Sequence, residues 1–315
     1  MEPRKLISFG TSSYVISIPK TWINKNELAK GDFIYLHENG NGEIVITPSQ
    51  KEIKKEPRTI SMNVMNKSLR DLRRELIANY IAGYDAIRLQ GQINTKHYSD
   101  LRDIVRDFTT FDIVDQGKSY IVLKDFLNIE KISIEDLTRR IDLIIRSMIE
   151  DTKHINNNIK LDKVYAMDAE VNRITFMTFR FIKKALNDLK LAKLFGLSPD
   201  GLLSLWLLVS RLEKIADEVK RIAKFFKVLR LSKSETEEIV YVFTLIEKEY
   251  LNTVKAYYNK DRELAFTIAI NKDRIIETCN KLTKKSSNAV CGSIVEKLKT
   301  MEIYIVYLAR DVYGA

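Results

Sequence analysis

Residues 3–48 alternate strand and turn signals in a block too thin to enclose a core of its own. Tyr14, Ile16 and Ile18 share one face of a strand, with Val15 and Ser17 on the other. Later, Ile44 and Ile46 stand opposite Glu43, Val45 and Thr47. This period of two predicts strands over 5–9, 14–19, 32–37 and 43–47. Pro19 ends the second, a single short helix is expected over 20–28, and Asn39-Gly40-Asn41-Gly42 reads as a hairpin turn because Asn and Gly tolerate positive φ. So few residues cannot bury both faces of their strands within one copy. The block therefore calls for a second copy of the chain.

A charged linker over 48–57 separates this head from a region with a different period. Strands over 59–64, 86–89, 111–114 and 120–123, with helices over 68–81 and 98–108, give the βαβαββ order of a small α+β unit. Gly83, Gly91 and Gly117 are isolated turn residues there, not a phosphate-cradling loop. From about Ile134 the period is helical throughout, predicting helices over 134–158, 163–188, 199–230, 233–259, 261–285 and 289–313, grouped three and three. Leu205, Leu208, Leu212, Ile215, Val219, Ile222, Phe226 and Leu229 alternate spacings of three and four, the seam of an antiparallel bundle. Met167, Val171, Ile174, Thr178, Phe181 and Ala185 repeat the pattern one helix earlier, where Phe176 and Phe179 add apolar faces. The fold class expected is multidomain α+β: a head over 1–50, an α+β connector over 57–127 and a mainly helical body over 131–315.

Charge and cysteine content narrow the setting. The two cysteines, Cys279 and Cys291, permit no disulfide framework and suit a reducing compartment. The N-terminus has no secretory pattern, and the apolar run over 202–209 is far short of the ~20 residues a bilayer span needs. A cytoplasmic protein without membrane insertion is expected. Of the net charge of +10, residues 131–315 carry +8 and residues 1–56, the head with its linker, only +1. Nucleic-acid binding by the head must therefore rest on where its cations stand.

Arg4, Lys5 and Lys20 mark strand ends and the short helix, and Ser12 and Ser13 can donate to phosphate beside Gly10. The run Arg-Lys-Leu-Ile, Gly10, Tyr14-Val-Ile-Ser-Ile-Pro-Lys20-Thr-Trp22, Gly31-Asp32 and Gly42-Glu-Ile-Val-Ile-Thr-Pro48 resembles the SpoVT/AbrB-type swapped-hairpin domain. In that family two chains interleave hairpins into one DNA-binding barrel, so each head would be half a β-barrel. The resemblance implies a general DNA-contacting role for Arg4, Lys5, Ser12, Ser13 and Lys20, and double-stranded DNA and a second copy as partners. Thr11-Ser12 stand where many family members carry a basic residue.

In the body, Glu213 and Asp217 lie four apart, so both carboxylates leave one helix face, and with Leu212 and Ile215 in the seam that face is expected at the bundle surface. Such oxygen donors suit Mg²⁺, Mn²⁺, Fe or Zn; alternatively Lys214, Lys220 and Arg221 neutralise them as ion pairs. Leu-Glu-Lys-Ile-Ala-Asp over 212–217 and Met-Asp-Ala-Glu-Val-Asn-Arg over 167–173 resemble the signature helices of PhoU proteins, which are six-helix bodies of two three-helix repeats. The resemblance implies a divalent metal held by Asp168, Glu213 and Asp217. Superposing the second repeat on the first sets Glu302 opposite Glu213, Asn271 opposite Asp168 and Val306 opposite Asp217, and Asn172 stands where Asp is common. An AbrB-like head before a PhoU-like body resembles an archaeal class of phosphate uptake regulators.

His37, His97 and His154 lie in three different regions, and no Walker loop, Rossmann glycine set or zinc spacing occurs. No enzyme is expected. The reading that follows is a transcriptional regulator of phosphate uptake or homeostasis, with a DNA-binding dimeric head and a sensing or docking body. The alternative is an adaptor that regulates a phosphate transporter subunit and uses its head for dimerisation only. A metal-storage bundle is a third reading.

Overall fold

The structure is a computed structural model describing residues 3–38, 43–48, 57–92, 95–126, 132–154, 161–228, 231–286 and 288–313. The turn expected at 39–42, the linker over 49–56 and the seam residue Leu229 lie outside these. The chain divides into two compact units, Met1–Glu56 and Pro57–Ala315.

In the first unit β1 (Ile7–Phe9) pairs antiparallel with β2 (Ser13–Val15), Ile7 opposite Val15. The turn between them uses Gly10 at φ 71°, a left-handed conformation, with open space where a Cβ would point. Helix α1 (Lys20–Lys25) starts after Pro19, whose φ of −59° suits a helix entry. It stops at Lys25 rather than 28 because the Asn26 amide folds back on the Trp22 carbonyl at 2.8 Å and Glu27 leaves the helix at φ 55°. β3 (Tyr35–Glu38) pairs with β4 (Ile44–Thr47), Tyr35 opposite Thr47. The first three strands are shorter than the alternation predicts. Each hairpin is a two-stranded ribbon with no further strand against it among the described residues, and such ribbons fray.

The second unit opens with β5 (Thr59–Asn63), α2 (Leu69–Ile81), β6 (Ala86–Gln90), α3 (Thr95–Val105), β7 (Phe111–Gly117) and β8 (Tyr120–Asp125). The strands form one sheet of order β5-β6-β8-β7, parallel at β5–β6 and antiparallel elsewhere. A register shift between Ile113 and Asp115 carries β7 past Val114, where the alternation suggested its end. Ser68 caps α2 by accepting from Asp71 N at 3.2 Å, and the helix lays Leu72, Leu76 and Tyr80 on the sheet against Ile87, Leu89 and Leu123.

The remaining chain is helical: α4 (Ile134–Lys153), α5 (Leu161–Leu186), α6 (Leu189–Leu194), α7 (Pro199–Val228), α8 (Lys233–Asn259), α9 (Arg262–Lys285) and α10 (Ala289–Tyr313). The six long helices follow the predicted spans closely; α6 is additional, one turn and a half being too short to display a period. Helices α4, α5 and α7 pack on one another, as do α8, α9 and α10, and the two groups meet through α7 on α10 and α4 on α8. Seam residues Leu205, Leu208, Leu212, Ile215, Val219, Ile222 and Phe226 are all buried, as predicted. Among the described residues no helix is long and apolar enough to cross a membrane.

Helix α5 belongs to two cores at once. Val171 and Ile174 join the bundle, while Phe176 packs on the sheet unit. One turn on, Arg180 is fully buried. Its guanidinium donates to Asp125 at 2.5 Å and to the carbonyls of Tyr80 and Tyr84 at 2.6 and 2.7 Å. Lys184 adds bonds to Asp85 and Asp125 at 2.7 and 3.0 Å. Burial works to raise the Asp125 carboxyl, but Arg180 and then Lys184 outweigh it and hold the group below its ordinary value. The ion pair fixes sheet to bundle, and connector and body form one compact unit.

Candidate functional site

The head presents its predicted contact residues on the surface. Arg4 and Lys5 precede β1, Ser12 lies in the β1–β2 turn, Ser13 opens β2 and Lys20 opens α1, all exposed. The hairpin sorts them into two sets: Ser12 and Ser13 at its tip beside Gly10, the three cations toward its open end. At about 3.3 Å per residue for extended chain, the segment from Lys5 to Phe9 reaches up to roughly 13 Å. One chain thus gathers no single phosphate pocket; it offers donors along an extended strip. None of the described head side chains is buried, and Leu6, Phe9, Tyr14, Phe33, Leu36 and Ile44 are among the most exposed apolar groups of the protein. Apolar surface left open on this scale marks an association face.

In the body, α5 and α7 bring Asp168, Asp217 and Glu213 to one region. They are not on the open surface, as the seam argument expected, but half-buried or buried between the two helices, because α5 packs over that face of α7. Lys220 sits between the first two, its ammonium 2.7 Å from Asp168 Oδ2 and 2.7 Å from Asp217 Oδ1. Asn172 donates to Asp168 at 3.2 Å, Arg221 lies 3.4 Å from Asp217, and Lys214 lies 3.0 Å from Glu213. Burial raises the Asp168 carboxyl above its ordinary value, with Lys220 working against it. Burial also raises Glu213, opposed by Lys214. The donor set does not fit a divalent ion: a lysine fills the gap between the two aspartates, and among the described residues no three acidic, histidine or cysteine side chains gather closely enough to hold one.

The second helix group meets the same problem differently. Glu302 on α10 is completely buried, and neither of its oxygens has a hydrogen-bond partner among the described residues. Glu249 on α8 is also buried, with one oxygen unpartnered and the other accepting from Asn271 at 3.3 Å. Burial first, and Glu249 second, push the Glu302 carboxyl up to about 8, with Lys272 opposing. Glu302 is therefore neutral over most of the physiological range. Sequence comparison of the repeats had singled out Glu302 and Asn271; Glu249 carried no signal beyond its place on a helix. Both cysteines are buried free thiols, and burial pushes Cys279 up to about 11, which leaves it inert.

Residues 7–54 match the model of the MazE family, described as antidote-toxin recognition MazE, bacterial antitoxin. The match covers most of the strand-and-turn block and bears out its reading as a swapped-hairpin type of head. Comparison with curated proteins and with solved structures returns no significant match.

Proposed function

We propose that this chain is a DNA-binding transcriptional regulator whose paired heads grip duplex DNA and whose helical body senses or docks, in the service of phosphate uptake or homeostasis. One observation carries the reading: a head with no buried side chain among the described residues, an open apolar surface and cations at its strand ends. A second copy would cover the apolar surface and duplicate Arg4, Lys5 and Lys20 about a two-fold axis, matching a pseudo-palindromic site. The MazE-like match supports both the pairing and the DNA contact, since domains of this type characteristically dimerise on DNA. The phosphate assignment rests on the PhoU-like motifs alone. Two three-helix groups with like packing agree with them. On this reading the chain acts by binding rather than catalysis.

The family description favours one further reading, an antitoxin-like regulator that holds a partner protein as well as DNA. Sedimentation and DNA titration of the full chain separate these. A regulator dimerises without a partner and binds duplex DNA with log affinity falling against log salt by about 0.9 per phosphate neutralised. Replacing Arg4, Lys5 and Lys20 with alanine should flatten that slope. A dimer that ignores DNA at low salt would leave the transporter adaptor as the better account.

A further inference from the structure

We infer that Lys220 is the resident cation of the α5–α7 carboxylate cluster, a covalently tethered charge that closes the site to divalent metal. Its ammonium bridges Asp168 and Asp217 at 2.7 Å to each, so it stands where an ion shared by those two helices would have to stand. The spacing makes this durable. Lys220 is three residues after Asp217, one helical turn along the same face, and reaches across to α5 without leaving its own helix. Asn172, one turn after Asp168, adds an amide donor where a further carboxylate would have supplied a ligand.

Charge balance points the same way. Lys214 pairs with Glu213, Arg221 with Asp217 and Glu218, and Lys297 of α10 lies 3.6 Å from Glu218. Four carboxylates thus meet four cations. A divalent ion added to a balanced cluster would leave two uncompensated positive charges in a half-buried site, which is costly. The consequence is a body whose response does not depend on metal supply. This holds whether or not the head binds DNA.

The full chain, stripped with chelator, can be titrated with Mn²⁺ and followed by electron paramagnetic resonance, which distinguishes free from bound ion. The wild type should leave Mn²⁺ free into the millimolar range, with an unchanged melting temperature. Lys220→Met should melt about 5 °C lower, and adding Asp168→Asn should restore part of the loss by removing the exposed repulsion. Stoichiometric Mn²⁺ in the wild type that Asp168→Asn abolishes would overturn the inference, as would a Lys220→Met variant melting like the wild type. If Lys220→Met does not fold, the wild-type titration still decides: bound Mn²⁺ refutes, free Mn²⁺ supports.

Discussion

In residues 57–315 large apolar side chains are mostly enclosed, from Leu76 and Tyr80 under the sheet to Ile215 and Ile305 in the bundle. In residues 3–48 Leu6, Phe9, Tyr14, Phe33, Leu36 and Ile44 stand between 63% and 83% exposed. Covering those six would contribute on the order of 10 kcal/mol per chain before the cost of association. The two regions therefore differ in what makes them fold. The body encloses its own core, whereas on the proposed pairing the head's order would depend on protein concentration. A regulator built this way can couple head assembly to DNA binding while its body stays folded throughout.

The largest expected effect comes from attacking the head's apolar face. Phe9→Asp with Ile44→Asp should abolish dimer formation in sedimentation velocity and weaken duplex binding by more than about 100-fold, equivalent to ~2.7 kcal/mol. The helical signal and its thermal transition should not move, because both residues belong to the compact unit that excludes the helical body. If both transitions shift together, the contrast between the regions is wrong.

Next in size is the reverse experiment, inside the body. Arg180→Met would leave Asp125 buried without its main partner and strand the Tyr80 and Tyr84 carbonyls. Urea unfolding should show a loss of about 3–5 kcal/mol. The dimer contacts of the head should survive in any fraction that remains folded. Asp125→Asn on the same background should recover part of the loss, and the size of that coupling measures how tightly sheet and bundle act as one.

The sequence made much of this legible, for reasons that also explain its gaps. The α7 seam could be read because seven successive buried positions repeat one spacing. The head could be read because alternation and Asn-Gly turns are local signals. Arg180 could not, since a buried arginine looks like any surface cation until the chain folds; its only hint was its place between Phe179 and Phe181 in an apolar helix. Lys220 was half visible: its spacing to Asp217 is local, but its bond to Asp168 crosses between helices 52 residues apart. The strand ends of the head were overestimated because alternation of side chains runs on past the backbone pairing that each two-stranded ribbon keeps among the described residues.

A titration offers a finer test of the body. The Glu302 carboxyl is raised in the folded state from 4.5 to about 8, so the native protein holds a proton that the unfolded chain has released. Stability is thus fully present below about 4.5 and declines as pH rises through about 8. Glu302→Gln keeps the neutral shape and should remove this decline, raising the melting temperature at pH above about 8 by several degrees. Dimerisation of the head should be indifferent to the change. A wild type whose melting is flat across that window would show that Glu302 is ionised and has found a partner.

The smallest effect compares how helices begin in the two regions. Helix α1 has no side-chain cap and no buried residue, so little within one chain holds it. Helix α4 opens on Ser133, whose hydroxyl accepts from Asp136 N at 3.1 Å, and carries Glu135 and Asp136 in its first turn, where the helix dipole favours acids. Ser133→Ala should cost the body about 1 kcal/mol in urea unfolding. Thr21→Ala in α1 removes no cap and should leave the same measurement unchanged, while any effect it has should appear in the concentration dependence of dimerisation. A cap lost from α4 is felt by a helix that already buries its own face, whereas α1, with no buried residue, would on the proposed pairing gain its stability from a second head.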